Sequence, residues 1–175
     1  PTIIHEQNSV AGVTNKFLAR FVDKICICFE DAAADFSNYA NKVIYTGNPR
    51  AQEVVQNQEI ATLTTYGLQD DVPTVLVFGG SRGAEKINQS IVEAVPKFVK
   101  SNHQVLLVTG ELHYEKIKKQ VKSVAGDATN VKVLPYVDQM PALFRKVDLI
   151  ACRSGATTLT EITALGLPSI LIPSP

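Results

Sequence analysis

No stretch of this sequence narrows the fold as much as residues 147–172, VDLIACRSGATTLTEITALGLPSILI. An apolar run over 147–152 enters the small-residue turn Arg153-Ser154-Gly155-Ala156. A helix follows, then Gly166-Leu167-Pro168 and a second apolar strand. A helix opened by small residues leaves N–H groups unpaired and carries partial positive charge, so it is a ready anion site. Glu161, about one turn further, can accept hydrogen bonds from a pair of ribose hydroxyls. Phosphate donors and a ribose acceptor on one helix point to a nucleoside diphosphate. A purely structural alternative stands beside this: Thr158-x-x-Glu161 also fits a capping box, in which Glu161 only satisfies a backbone N–H.

The same alternation runs along the chain. Strands are expected at 2–4, 24–29, 42–45, 74–78, 104–108 and 131–134. Helices are expected at 13–21, 31–39, 84–100, 114–124 and 140–146. Continuous β-branched runs between helices argue for parallel sheets covered on both faces. In such sheets, ligands bind beyond the C-terminal strand ends. The chain reads as an α/β protein of two doubly wound domains, both incomplete. Residues 1–50 form the tail of one, 51–72 a polar connector, and 73–175 most of the second. Pro1 leads straight into a strand and Pro173-Ser174-Pro175 follows one directly, as expected for an internal piece of a longer protein.

Composition removes several classes. The 175 residues carry 17 Lys+Arg and 17 Asp+Glu, so no basic field argues for nucleic acid. No apolar run approaches the ~20 residues that span a bilayer. Cys26, Cys28 and Cys152 lie in apolar runs without metal-ligand spacing, which suggests buried free thiols in a reducing cytoplasm. No Asp-x-Asp pair sits in a loop, and Asp70-Asp71 fits a solvated turn. Neither a metal nor a cofactor is expected.

Four further segments carry polar chemistry at strand ends. The run 74–78 enters Gly79-Gly80-Ser81-Arg82-Gly83-Ala84, whose glycines let backbone approach a ligand while Ser81 offers a hydroxyl to phosphate. The P-loop and the G-x-G-x-x-G fingerprint both fail here, the latter because Ser81 takes the second glycine's place. A plain strand-to-helix turn is the alternative. His5-Glu6-Gln7-Asn8 is no zinc-protease motif, since Ser9 stands where a second His is needed. Its four polar heads are expected to face a ligand cleft, against the alternative of a solvated loop. Gly47-Asn48-Pro49-Arg50 closes a strand with a turn, and Arg50 could reach a phosphate or a domain interface. Tyr136-Val137-Asp138-Gln139-Met140 could stack on a base and read its edge, or could be a loop in which Asp138 caps a helix.

Taken in order, HEQN, AGVTN, TGNPR, VFGGSRGA, YVDQM, CRSGATTLTE and GLPSILIP closely resemble the MurG family. These are the N-acetylglucosaminyltransferases that act on undecaprenyl-pyrophosphoryl-MurNAc-pentapeptide in peptidoglycan synthesis. The resemblance covers essentially the whole chain and implies a GT-B architecture, two Rossmann-like domains facing a cleft. It implies that Gly80, Ser81 and Gly83 bind the donor pyrophosphate and that Glu161 holds the ribose hydroxyls. Val137 would offer backbone to the uracil edge with Tyr136 packing nearby, and Gln139 and Met140 would border the uridine pocket. Arg153, Ser154, Gly155 and Ala156 would line the sugar-phosphate end, and Asn8 and Arg50 would approach the donor sugar and phosphate. The family's N-terminal glycine-rich loop, whose His looks like the general base, is not in this sequence. Neither is its glutamine-rich segment that grips the sugar. No catalytic residue is therefore assigned here.

The implied reaction moves N-acetylglucosamine from UDP-N-acetylglucosamine to lipid I with inversion, giving lipid II. It would take place at the cytoplasmic face of the membrane, with the enzyme held peripherally on an anionic surface. Lys16 and Arg20, beside Phe17 and Phe21, would rim such a docking patch; the alternative is an ordinary amphipathic helix with its aromatics in the core. Competing classes are a nicotinamide dehydrogenase, a UDP-sugar epimerase and a non-catalytic nucleotide-binding module. The dehydrogenase is weakened by the missing fingerprint and by Thr109-Gly110-Glu111, a poor match to an acidic strand end.

Overall fold

The computed structural model describes residues 1–57, 59–80 and 83–173. The chain divides into two compact units: Pro1–Gln56 with Ala156–Ala164, and Asn57–Gly155 with the residues from Leu165 onward.

The first unit holds a parallel sheet of β1 (Ile3–Glu6), β2 (Lys24–Ile27) and β3 (Val43–Tyr45) in that order, with Ile4 opposite Ile25. Ala19, Ile25, Ile27, Ala32 and Phe36 are at the heart of its core. Helix α1 spans only Val13–Leu18, shorter than the expected 13–21. The chain tightens there, with the Phe21 N–H on the Leu18 carbonyl at 2.9 Å, and Val22 then turns into the core. The expected helix at 31–39 is a 3-10 run over Glu30–Lys42, broken at Phe36 and Tyr39. Buried Phe36 fixes the bend, and Ser37, Asn38 and Asn41 are residues whose side chains compete with helical backbone bonds. Helix α2 (Pro49–Gln56) occupies the start of the expected connector. Pro49 opens it, and the Asn48 side chain accepts the Arg50 N–H at 3.0 Å.

The second unit is built from β4 (Thr74–Phe78), α3 (Glu85–Val99), β5 (Gln104–Val108), α4 (Glu111–Ala125), β6 (Val131–Leu134), α5 (Met140–Phe144), β7 (Leu149–Arg153) and β8 (Ser169–Ile172). Helix α6 (Ala156–Leu165) links the last two strands. The sheet is parallel throughout, in the order β6-β5-β4-β7-β8. Every residue of β5 is buried, as its apolar sequence requires of a strand covered on both faces. Val77, Val105, Leu107, Ile117, Val121 and Ala151 pack together in the core. From β4 the chain first builds outward through β5 and β6, then returns to β4's other side with β7. That reversal between β4 and β7 is a topological switch point, where open α/β sheets bind ligands beyond their strand ends.

Candidate functional site

Both sequence motifs of the second unit fall at this switch point. β4 and β7 pair with Phe78 opposite Cys152, so Gly79-Gly80 and Arg153-Ser154-Gly155 leave the sheet from neighbouring strand ends. The glycine loop is shaped by steric need. Gly80 and Gly83 have φ of +90° and +74°, and the Gly83 N–H donates to the Gly80 carbonyl at 2.9 Å. A Cβ on Gly83 would collide with the Thr109 carbonyl, whereas one on Gly80 would meet open space. Ser81, expected to donate to phosphate, lies outside the described residues. Helix α3 then starts from Ala84 with no side-chain hydrogen bond capping it, so its first N–H groups are open to an anion.

Val137 is buried while Tyr136 is exposed. Among the described residues no hydrogen bond engages the Val137 N–H or carbonyl, as a base-edge reader requires. Asp138 does not cap α5: Gln139 is the cap residue and makes no side-chain cap bond. Gln139 is exposed and Met140 half-buried at the helix start. The Arg153 guanidinium donates to the Pro173 carbonyl, which draws it along β8. Cys152 is buried, and desolvation pushes its thiol up to about 11, so it is a packing residue. Cys28 is buried as expected, but Cys26 is only partly so.

In the first unit, Glu161 and Arg50 meet. Helix α6 begins at Ala156, which places Thr158 inside the helix and removes the capping-box alternative. The Glu161 carboxylate is 7% exposed, and its Oε1 accepts Arg50 Nε at 3.0 Å and Nη2 at 2.5 Å. Arg50 Nη1 also pairs with Glu53 at 2.7 Å. The bonds to Glu161, then that to Glu53, raise the guanidinium above its ordinary value against the opposing effect of burial. Arg50 is thus a fixed cation bound to the carboxylate that sequence reasoning gave to ribose; the α2 start that positions it was read as a closing turn.

The His5-Glu6-Gln7-Asn8 segment does not present four heads to a ligand. His5 Nε2 lies 3.1 Å from the Gly47 carbonyl, which only accepts, so the proton sits on that nitrogen. Cys28 Sγ is 3.2 Å from the same atom. Glu6 is buried and turned into its own loop. Gln7 and Asn8 are exposed. Sequence reasoning missed Glu6 as an organiser; the two asparagines and the glycine that follow it within nine residues were the available signal. Among the described residues no three His, Cys, Asp or Glu side chains come together.

An α/β sheet with two small-residue turns at its switch point has the form in which ligands bind beyond the strand ends. Residues 74–175 match the glycosyltransferase family 28 C-terminal domain, and the chain belongs to that family. It is 55% identical to the UDP-N-acetylglucosamine--N-acetylmuramyl-(pentapeptide) pyrophosphoryl-undecaprenol N-acetylglucosamine transferase of Lactiplantibacillus plantarum. It is 50% identical to the protein of the same name from Bacillus subtilis. Each match takes in 100% of this chain and 47% of the relative, so the chain spans about half the length of the curated relatives it matches. Among solved structures, Acinetobacter baumannii MurG superposes with a TM-score of 0.67 at 28% identity, over 100% of this chain and 46% of that one. The UDP-GlcNAc 2-epimerase from Neisseria meningitidis, bound to UDP-GlcNAc, gives 0.63 at 18% identity over 92% and 47%, a likeness of fold alone. The α/β fold of GT-B type expected from the sequence is the fold found.

Proposed function

We propose that this chain is the donor-nucleotide part of an inverting transferase that moves N-acetylglucosamine from UDP-N-acetylglucosamine to lipid I, giving lipid II. The observation that carries the reading is the β4–β7 pairing, which sets the glycine loop and the Arg153–Gly155 turn at adjacent strand ends. In this reading the backbone around Gly80 and Gly83 and the α3 N-terminus take the diphosphate. Val137 offers its free backbone groups to uracil, with Tyr136 and Met140 beside it. Ser154, Gly155 and Ala156 line the sugar-phosphate end. Negative charge grows on UDP as it departs, and these preorganised N–H donors stabilise it. Glu161 exchanges its bond to Arg50 for the ribose hydroxyls. The relatives' names favour the transferase; the epimerase shares the fold at low identity.

Formation of lipid II from lipid I by the full-length enzyme tests the reaction. Interconversion of UDP-N-acetylglucosamine with its 2-epimer, without transfer, would contradict it. Glu161→Gln tests the site: losing a charge-assisted bond costs about 1.5–3 kcal/mol, so UDP affinity should fall roughly ten- to a hundredfold by calorimetry. Unchanged UDP affinity would remove Glu161 from the ribose.

The lipid-linked acceptor places the work at the cytoplasmic face of the membrane. Among the described residues no helix is long and apolar enough to cross it. A surface patch favours peripheral docking: Val13, Phe17 and Phe21 are 86%, 55% and 64% exposed. The Arg20 guanidinium lies 4.4 and 4.7 Å from the two ring centroids. Phe17 and Phe21 are exposed in this structure and do not pack into the core of the first unit. Lys16 is tied to Asp35 at 2.7 Å, so Arg20 is the cation better placed to meet anionic headgroups. Replacing both cations with Gln in the full-length enzyme should weaken sedimentation with anionic vesicles by about 1 kcal/mol per charge, with UDP affinity unchanged.

A further inference from the structure

The sheet of the second unit ends in an open edge at β6, which pairs only with β5. The Asn130 and Leu134 carbonyls accept the Val105 and Thr109 N–H groups, each at 2.9 Å. Successive residues of a strand turn their backbone groups to opposite sides. The N–H and C=O groups of Val131 and Val133 therefore face away from β5, and among the described residues no hydrogen bond engages them. Between α4 and β6 runs a groove of about 390 Å³. A groove against the face of a strand meets alternate residues; this one meets Val131, Lys132 and Val133 in succession, so it reaches the strand's edge. Val121 and Ala125 of α4 line it beside the two valines, and all four belong to the core or pack against it. Lys118 and Lys122, one turn apart on α4 and both exposed, line it as well. Asp127 is the one carboxylate in the lining, and no ion pair among the described residues engages Lys118, Lys122 or Lys132.

We propose that this edge is a docking site for an acidic, extended segment of another protein, which adds to the sheet as a strand beside β6. Strand addition gives the outward backbone groups of Val131 and Val133 their partners. The side chains of the added strand fall alternately on the two faces of the sheet. On the α4 face an apolar side chain covers Val121, Ala125 and Val131, and carboxylates meet Lys118 and Lys122. Charge selects among the occupants. Lysines on an edge strand keep like copies apart. Pairing β6 with β6 of a second copy would bring the same lysines together, so a second copy does not fit. An uncharged apolar strand would take the lysines partly out of water without giving them a partner. Lys118 lies 5.0 Å from the centroid of the Tyr114 ring, a contact that restrains its ammonium. β6 stands two strands from β4, so this surface is separate from the turns assigned to UDP.

The probe is a labelled synthetic peptide of about eight residues, alternating glutamate and valine, long enough to run past β6 at both ends. It is titrated into the full-length protein and followed by fluorescence anisotropy. One control peptide carries glutamine for every glutamate. A second keeps the charges but is N-methylated at alternate residues, which removes the donors that face the sheet. The acidic peptide should bind about tenfold tighter than either control. Hydrogen exchange should show new protection at residues 131–134. Lys118→Gln with Lys122→Gln changes two exposed side chains and should weaken the peptide about three- to tenfold, with UDP affinity unchanged. The proposal is overturned if the acidic peptide does not bind, or if protection appears away from β6. Equal binding of the N-methylated peptide would mean that charge acts without strand addition, and equal binding of the glutamine peptide that the lysines select nothing. Either result overturns it. Self-association of the protein with protection at 131–134 and no peptide present would assign the edge to a second copy and overturn it too.

Discussion

The turns after β1 and after β4 occupy equivalent places at the ends of parallel strands, yet they are built by opposite means. After β1 a buried charge gathers N–H groups: the Glu6 carboxylate organises Asn8, Gly12 and Asn15. After β4 the organising principle is missing side chains. Gly83 approaches the Thr109 carbonyl where no Cβ fits, and Gly80 and Gly83 both take left-handed backbone. The first device fixes side-chain orientation and depends on ionisation. The second fixes backbone, leaves N–H groups open, and is indifferent to pH.

The comparison breaks most visibly at Gly83. Gly83→Ala adds a steric collision with Thr109 to a strained φ and should destabilise the fold by about 2–4 kcal/mol in chemical denaturation. A near-neutral result would mean that the loop is not held by close approach. At Gly80 a Cβ meets open space, so Gly80→Ala should carry only the conformational cost, about 1–2 kcal/mol. Equal costs at the two positions would erase the distinction between conformation and packing.

Acid sharpens the other side. The folded-state pKa of Glu6 lies below its ordinary value of 4.5. Its stabilising contribution is therefore fully present above that value, and is lost as pH falls from there through the lowered folded value. Stability against urea, measured from neutral pH downward, should decline less steeply for Glu6→Gln than for wild type. The Gly80→Ala profile should run parallel to wild type. A Glu6→Gln profile parallel to wild type would show that the carboxylate is not ionised in the fold.

Much of this was legible in the sequence for physical reasons. The central strands β4, β5 and β7 of the second unit are largely apolar because both faces are covered, so their apolar runs place them within a residue or two. The glycine loop and the Arg153–Ala156 turn follow from small residues between strand and helix. Glu161 was found as a carboxylate one turn into a helix, and its Arg50 partner was not, because a contact across 111 residues leaves no local pattern. Glu6 was misread because polar residues at a strand end suggest exposure, whereas a carboxylate fed by nearby N–H donors can be buried. The break at Phe36 and Tyr39 escaped for a similar reason, since the local composition still resembles a helix.

The central claim is that UDP binds at the C-terminal ends of β4 and β7. Hydrogen exchange by mass spectrometry on the full-length enzyme, with and without saturating UDP, tests it directly. Peptides covering 78–88 and 153–162 should gain protection, because the diphosphate occupies their open N–H groups, while peptides from β2 and β3 exchange as before. Unchanged exchange in both segments, with protection concentrated elsewhere, would contradict the account.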